Sequence, residues 1–205
     1  MLFSYFIARA GVAVEKLPLQ FVRHGDLVAA VGRPAGAART TPAQMLEFNA
    51  VLAAASKRAT ILPLRFGTSF PNEAAVVQLL AARAGELGAA LERLDGRVEM
   101  TVRVRLEAGE SAAARLAQIR ERVEAQETWS EVRTDRAGQR VVELAHLMAR
   151  PEEAEYRRRL GGEGLEVSGP WPPVHFLPQF LRMPMRRATG SGTSRASGAE
   201  SAGRR

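Results

Sequence analysis

At 205 residues with 46% apolar side chains, the chain is long enough for one large or two small packed cores. It has no cysteine, which excludes a disulfide framework and thiolate metal sites, and no apolar run reaches the roughly 18 residues of a membrane-spanning helix. Five of the seven net positive charges fall in residues 182–205, which hold six arginines against Glu200, so the rest is nearly neutral and its charge is weak evidence for nucleic-acid binding.

Leu2 to Arg9 reads as a strand; Arg9 and the lack of a basic leader argue against a signal peptide. Leu19 to Arg23 and Leu27 to Val31 read as a hairpin around His24-Gly25-Asp26, and Gly32 to Arg39 as a loop. A helix follows with strong punctuation: Thr41 as cap, Pro42 at the first position, Gln44 completing a capping box. Met45, Phe48, Leu52 and Ala55 form its predicted buried face. Thr60 to Phe66 is an extended run ending at Gly67. Ser69 or Asn72 then caps a second helix carrying Val76, Leu80, Leu87, Leu91 and Leu94, with Gly88 its weak point.

At Asp95-Gly96 the periodicity changes. Val98, Met100, Val102, Val104 and Leu106 alternate with Glu99, Thr101, Arg103 and Arg105, the pattern of a half-buried strand with a charged outer face. Ser111 caps a helix with Leu116, Ile119 and Val123. Val132 to Thr134 and Arg140 to Arg150 are extended around a turn at Asp135 to Gln139. Pro151-Glu152-Glu153 opens a helix that Arg157, Arg158 and Arg159 close, matching charge to the helix dipole at both ends. Gly161-Gly162 stops it, and Leu165-Glu166-Val167 begins a last strand. The predicted fold is α+β: an N-terminal α+β domain over 1–95, a C-terminal ferredoxin-like domain over 96–181, and a disordered Arg/Gly/Ser-rich tail over 182–205.

Motifs for chemistry are missing. There is no Walker loop, no G-x-G-x-x-G and no G-x-S-x-G. His24, His146 and His175 are far apart in sequence, so no metal site, cofactor or catalytic residue is predicted, and the chain is read as no enzyme. Two segments stand out instead. In Ile61-Leu62-Pro63-Leu64-Arg65-Phe66-Gly67-Thr68-Ser69-Phe70, alternation puts Leu64 and Phe66 on one face and Arg65 on the other. Arg65 is then either a contact for an anionic partner or, preferred here, a structural arginine paired to a carboxylate such as Glu99 or to backbone carbonyls. Gly169-Pro170-Trp171-Pro172-Pro173 is either a polyproline ligand for an aromatic groove or, preferred, a rigid end-piece whose Trp171 packs on the domain.

These segments resemble the "LPLRFGT-x-F" and "GPWPPY-x-F" hallmarks of the gas vesicle GvpL/GvpF family, with Val174 where the family often has tyrosine. The aromatic first strand, the His24 to Val31 hairpin arm and the Leu94 to Glu99 junction match in the same order, covering about residues 1 to 177. The resemblance implies no enzymatic activity, a cytoplasmic protein associated with gas vesicles, and binding to the small, very apolar major shell subunit and other gas vesicle accessory proteins during assembly. Arg65, Phe66, Gly67 and Trp171 are the candidate partner-contact or structural residues. The alternative reading is an RNA-binding ferredoxin-like module with a basic tail; against it, no aromatic lies on the outer face of Val98 to Leu106.

Overall fold

The first strand, β1 (Leu2–Arg9), runs through the middle of an antiparallel sheet, with β3 (Leu27–Gly32) on one side and β4 (Ile61–Pro63) and β5 (Ser69–Phe70) on the other. β2 (Gln20–His24) pairs β3 at the outer edge. The structure is a computed structural model that describes residues 1–11, 14, 17–32, 41–123, 125, 127–135, 137–162 and 164–182. The loop expected at 33–39 lies outside these residues, as does the expected tail apart from Arg182, which ends the last helix.

The pairing of β1 with β3 shifts register between Ser4 and Phe6. A bulge of this kind puts two consecutive side chains on the same side of a sheet. Phe3, Tyr5, Phe6 and Ala8 therefore all pack against one cluster, while Ile7 packs against another. Helix α1 (Pro42–Ser56) covers the first of these faces through Phe48, Leu52 and Ala55. Its start is the expected capping box, with Thr41 Oγ1 accepting from the Gln44 N–H at 3.2 Å and Gln44 Oε1 accepting from the Thr41 N–H at 3.1 Å. Met45 departs from the expected buried face: it is 44% exposed, because Phe48, Leu52 and Ala55 already span the contact with the sheet.

The opposite face of the sheet carries α2 (Glu73–Ala82) and α3 (Ala84–Arg93). They were expected to form one helix weakened at Gly88. Instead Gly88 sits inside a continuous α3, and the break falls at Arg83, where the axes bend by 72°. The bend lets Val76 and Leu80 on one side of it, and Leu87 and Leu91 on the other, all reach the same buried cluster, where each such side chain contributes about 1.5–3 kcal/mol. Arg83 itself is held by Glu86 at 2.6 Å and lies over the Phe180 ring, 5.0 Å from its centroid. Among the described residues no single helix is long and apolar enough to cross a membrane.

The second sheet follows a tight turn at Asp95-Gly96. Its strands are β6 (Arg97–Arg105), β7 (Glu127–Thr134), β8 (Arg140–Ala149) and β9 (Leu165–Trp171), in spatial order β7-β8-β6-β9 with every neighbour antiparallel. Helices α4 (Ala112–Glu121) and α5 (Glu153–Leu160) belong to the cluster on one face, built on Val98, Met100, Val102, Val104, Val142 and Leu144. The other face joins the first half of the molecule. Ala145 and Leu147 of β8 share a cluster with α2, α3 and with Phe176, Leu177 and Leu181, the last of these in the short terminal helix α6 (Gln179–Arg182). The observed architecture is thus mixed α and β, with two antiparallel sheets whose facing sides meet through α2 and α3.

One residue reverses its expected role. Glu99 was assigned to the charged outer face of β6, yet it is 1% exposed. The face is charged at its far end, through Arg103 and Arg105, but at Glu99 the chain after β9 folds across it.

Candidate interaction site

Leu62 and Leu64 enter the cluster beneath α2 and α3, whereas Phe66 enters the one beneath α1. The expected shared face for Leu64 and Phe66 is therefore not observed, because regular pairing ends at Pro63 and the backbone turns. The Leu64 N–H still donates to the Tyr5 carbonyl at 2.8 Å, and the Thr68 N–H closes a turn onto the Arg65 carbonyl at 3.0 Å. Gly67 occupies that turn at φ +87°, a left-handed conformation that side chains disfavour. Phe66 locks in edge-on to Phe3 and Phe48 at 5.6 and 5.2 Å between ring centroids. Phe70 then returns to the α2–α3 cluster. The segment works as a double anchor that fastens both faces of the first sheet.

Arg65 stands at the crest of this turn, exposed. Its expected partner, Glu99, is occupied elsewhere, and among the described residues no hydrogen bond or ion pair engages the Arg65 guanidinium. The structural role preferred from sequence is therefore not the one observed.

Trp171 ends β9. The residue is 48% exposed rather than packed into the domain, with its indole Nε1 donating to Ser168 Oγ at 3.3 Å. The geometry before it is tight. Gly169 has φ +116°, and a Cβ there would lie 2.8 Å from the Glu99 carbonyl oxygen and 2.9 Å from Met100 Sδ, so only glycine fits. The Arg157 guanidinium donates to the Gly169 carbonyl. Pro170 follows a cis peptide bond, and Pro172 and Pro173 are buried.

This path delivers His175 onto Glu99. The His175 N–H donates to Glu99 Oε2 at 2.9 Å, and its Nδ1 meets Oε1 at 2.7 Å. The imidazole stacks on the Trp129 indole, centroids 3.9 Å apart and planes 21° apart. Arg93 completes the junction by reaching both Glu127 and the Phe176 carbonyl, and Arg182 donates to the His175 carbonyl at 3.3 Å. Neither the Glu99–His175 pair nor Trp129 was singled out from sequence. The two partners lie 76 residues apart, and the available signal was a lone glutamate on β6 and a histidine following three prolines and a tryptophan.

Elsewhere His146 is fully buried, with Nδ1 2.6 Å from the Tyr156 hydroxyl and no partner for Nε2 among the described residues. Burial, aided by the nearby Arg120 charge, pushes its pKa down to about 4, and burial raises that of Tyr156. Among the described residues no group of three His, Asp or Glu side chains could hold a metal ion.

The structure does not bring the predicted site residues together. Trp171 borders a cleft of about 200 Å³ at the Ile61 end of β4, while Arg65, Phe66 and Gly67 lie beyond its other end.

Comparison with known proteins fits these features. The sequence profile of the family described as "Gas vesicle synthesis protein GvpL/GvpF" matches residues 5–161. Gas vesicle protein L of Streptomyces sp. (strain CB03234) is 39% identical over 105 residues, spanning 45% of this chain and 40% of that relative's length. The crystal structure of gas vesicle protein GvpF from Microcystis aeruginosa superimposes with a TM-score of 0.67 at 15% identity, over 85% of this chain and 98% of that one. GvpF from Anabaena sp. PCC7120 gives 0.66 at 16%, over 85% and 97%. At such identities these two likenesses speak to the fold alone.

Proposed function

The chain belongs to the gas vesicle synthesis protein GvpL/GvpF family, and from that premise we propose that it is a cytoplasmic, non-enzymatic accessory protein that binds the small apolar gas vesicle shell subunit and assists its assembly. The observation that carries this reading is the outer side of α1. Leu46 is 71% exposed and Met45 44%, next to the exposed Glu47 and Asn49. An amphipathic surface helix normally turns polar residues outward. An outward leucine and methionine, on the helix that packs over Phe66, suit an apolar client rather than water.

We read residues 1–95 as one domain and the second sheet with α4 and α5 as a ferredoxin-like unit. Its elements run β6-α4-β7-β8-α5-β9 along the chain and β9-β6-β8-β7 in space. Its edge strands β7 and β9 offer a second mode, the addition of an extended segment of the client. The other gas vesicle accessory proteins belong to the same reading as further partners.

The RNA-binding alternative is less well supported. Trp129, on the relevant sheet face, is covered by His175; Arg103 and Arg133 both engage Glu143, and Arg105 engages Glu166. Stacking and phosphate contacts would need these groups free.

Co-purification of the full chain with the shell subunit tests the proposal. Association that is lost in Leu46→Glu is the expected result. No association with the wild-type chain at any salt concentration, or unimpaired flotation of cells lacking the protein, would overturn it.

A further inference from the structure

Five chain segments converge where the two sheets meet: the end of α1, the start of β4, the Asp95-Gly96 turn, the end of β8 and the end of β9. Between them lies the open cleft of about 200 Å³ bordered by Trp171. Its charged lining is Lys57, Arg58, Arg97 and Arg150 against a single acid, Asp95. That acid is already engaged, its Oδ1 accepting from Thr60 Oγ1 at 2.6 Å.

Many arginines elsewhere are matched by carboxylates. Arg9, Arg83, Arg93, Arg103, Arg133 and Arg157 each hold at least one. The cleft gathers unmatched cations in one place. Among the described residues no carboxylate pairs with Lys57, Arg58 or Arg97, and the Arg150 guanidinium donates only to the Ser56 carbonyl at 2.9 Å. Lys57 and Arg58 do suit the C-terminal end of α1, but that weak interaction leaves their charge uncompensated. Beside these cations lies Trp171, 48% exposed.

We propose that this cleft is a docking site for an acidic segment of a partner protein, one or two carboxylates entering among Lys57, Arg58, Arg97 and Arg150 while a neighbouring apolar side chain lies on Trp171. Charge complementarity selects the occupant. The volume is below the roughly 300–1,000 Å³ of a pocket that encloses a small-molecule ligand, and matches one or two side chains of a chain passing over the surface. The protein's own tail is excluded by its sign, since residues 183–205 carry five arginines against one glutamate. Binding here spans both halves of the molecule, so an occupant would brace the Asp95-Gly96 turn. This site is separate from the apolar side of α1 and does not depend on the shell-subunit reading.

The two tryptophans give the test an internal control. Indole N–H signals of Trp129 and Trp171 in the full-length ¹⁵N-labelled protein are followed by NMR, the Trp171→Phe variant identifying the second. The probes are a blocked peptide of alternating glutamate and leucine, its glutamine–leucine counterpart, inorganic phosphate, and a single-stranded oligouridylate. Saturable movement of the Trp171 signal alone with the glutamate peptide is expected, weakening steeply with salt. Binding should fall about tenfold or more in Lys57→Glu/Arg58→Glu, two exposed positions where reversal leaves the core intact. The proposal fails if the signal does not move, if the glutamine peptide or phosphate binds as well, if the oligouridylate binds more tightly, or if the reversal leaves affinity unchanged.

Discussion

The imidazole of His175 lies flat on the indole of Trp129, 3.9 Å between ring centroids. One comes from the segment after β9 and the other from β7, at opposite edges of the second sheet, so the stack draws the terminal segment across the whole face. Glu99, on the strand between them, fixes the imidazole from the side. The result is a lid over Ala145 and Leu147 that also brings Phe176, Leu177 and Leu181 against α2 and α3. The proline-rich segment before it has a physical purpose in this light: it carries the chain stiffly from β9 to the point where His175 meets its partners.

Removing His175 should therefore loosen the junction. His175→Ala deletes the stack and leaves one oxygen of a buried carboxylate without its partner, a combination that costs on the order of 2–4 kcal/mol. At roughly 2–4 °C per kcal/mol for a chain of this length, the thermal midpoint should drop by about 5–15 °C. Glu99→Gln, which keeps an acceptor for the His175 N–H, should cost clearly less. Equal midpoints for His175→Ala and wild type in a thermal scan would refute the clamp.

Two glycines should respond in opposite directions to alanine. At Gly169 the new methyl would collide with the Glu99 carbonyl and Met100 in a backbone conformation that already disfavours it, so Gly169→Ala should destabilise by about 2–4 kcal/mol or abolish soluble expression. Gly88 lies inside α3 with only Arg9 Nη2 nearby, at 3.9 Å. Gly88→Ala should stabilise by about 0.5–1 kcal/mol, through helix propensity and a less free unfolded chain. Urea denaturation of both variants measures the pair.

Local rules carried the sequence reading a long way. The capping box at Thr41, the side-chain caps of Asn72 and Ser111, and the alternation of β6 appear where spacing put them, because each depends on residues within one turn or one strand. What escaped depends on distant partners. The break at Arg83 is fixed by tertiary packing around it, including Phe180, and so fell five residues before the glycine that propensity would choose. Glu99 looked solvated because nothing in β6 announces His175. For Arg65, alternation was extended past the point where strand pairing stops, which misjudged both the face of Phe66 and the arginine's surroundings. Trp171 looked like a packing residue because a strand precedes it and Phe176 and Leu177 follow; those two are buried, but Trp171 is not.

Arg65 and Phe66 offer a way to separate folding from partner binding within one motif. Arg65 makes no contact with its guanidinium among the described residues, so Arg65→Ala should leave stability within about 0.5 kcal/mol. Phe66→Ala removes an aromatic ring packed against Phe3 and Phe48 and should cost about 2–3 kcal/mol, less than a fully buried phenylalanine. If the turn contacts the shell subunit, Arg65→Ala should weaken co-purification without moving the thermal midpoint. A midpoint lowered by Arg65→Ala as much as by Phe66→Ala would show that the arginine is structural after all.

His146 predicts how stability varies with pH. Its pKa in the folded protein, about 4, lies below the ordinary value of 6.5 that the unfolded chain restores. Between those values the unfolded state binds the extra proton, so stability contributed by the neutral, buried imidazole is whole above about pH 6.5 and drains away as the pH falls towards 4. The slope from this one group cannot exceed about 1.4 kcal/mol per pH unit. His146→Gln retains a polar group opposite the Tyr156 hydroxyl but does not titrate, so it should flatten the dependence between pH 6.5 and 4 while lowering stability at pH 7. Chemical denaturation of both proteins at half-unit pH intervals decides the matter: parallel curves over that window would mean that another group governs the acid limb.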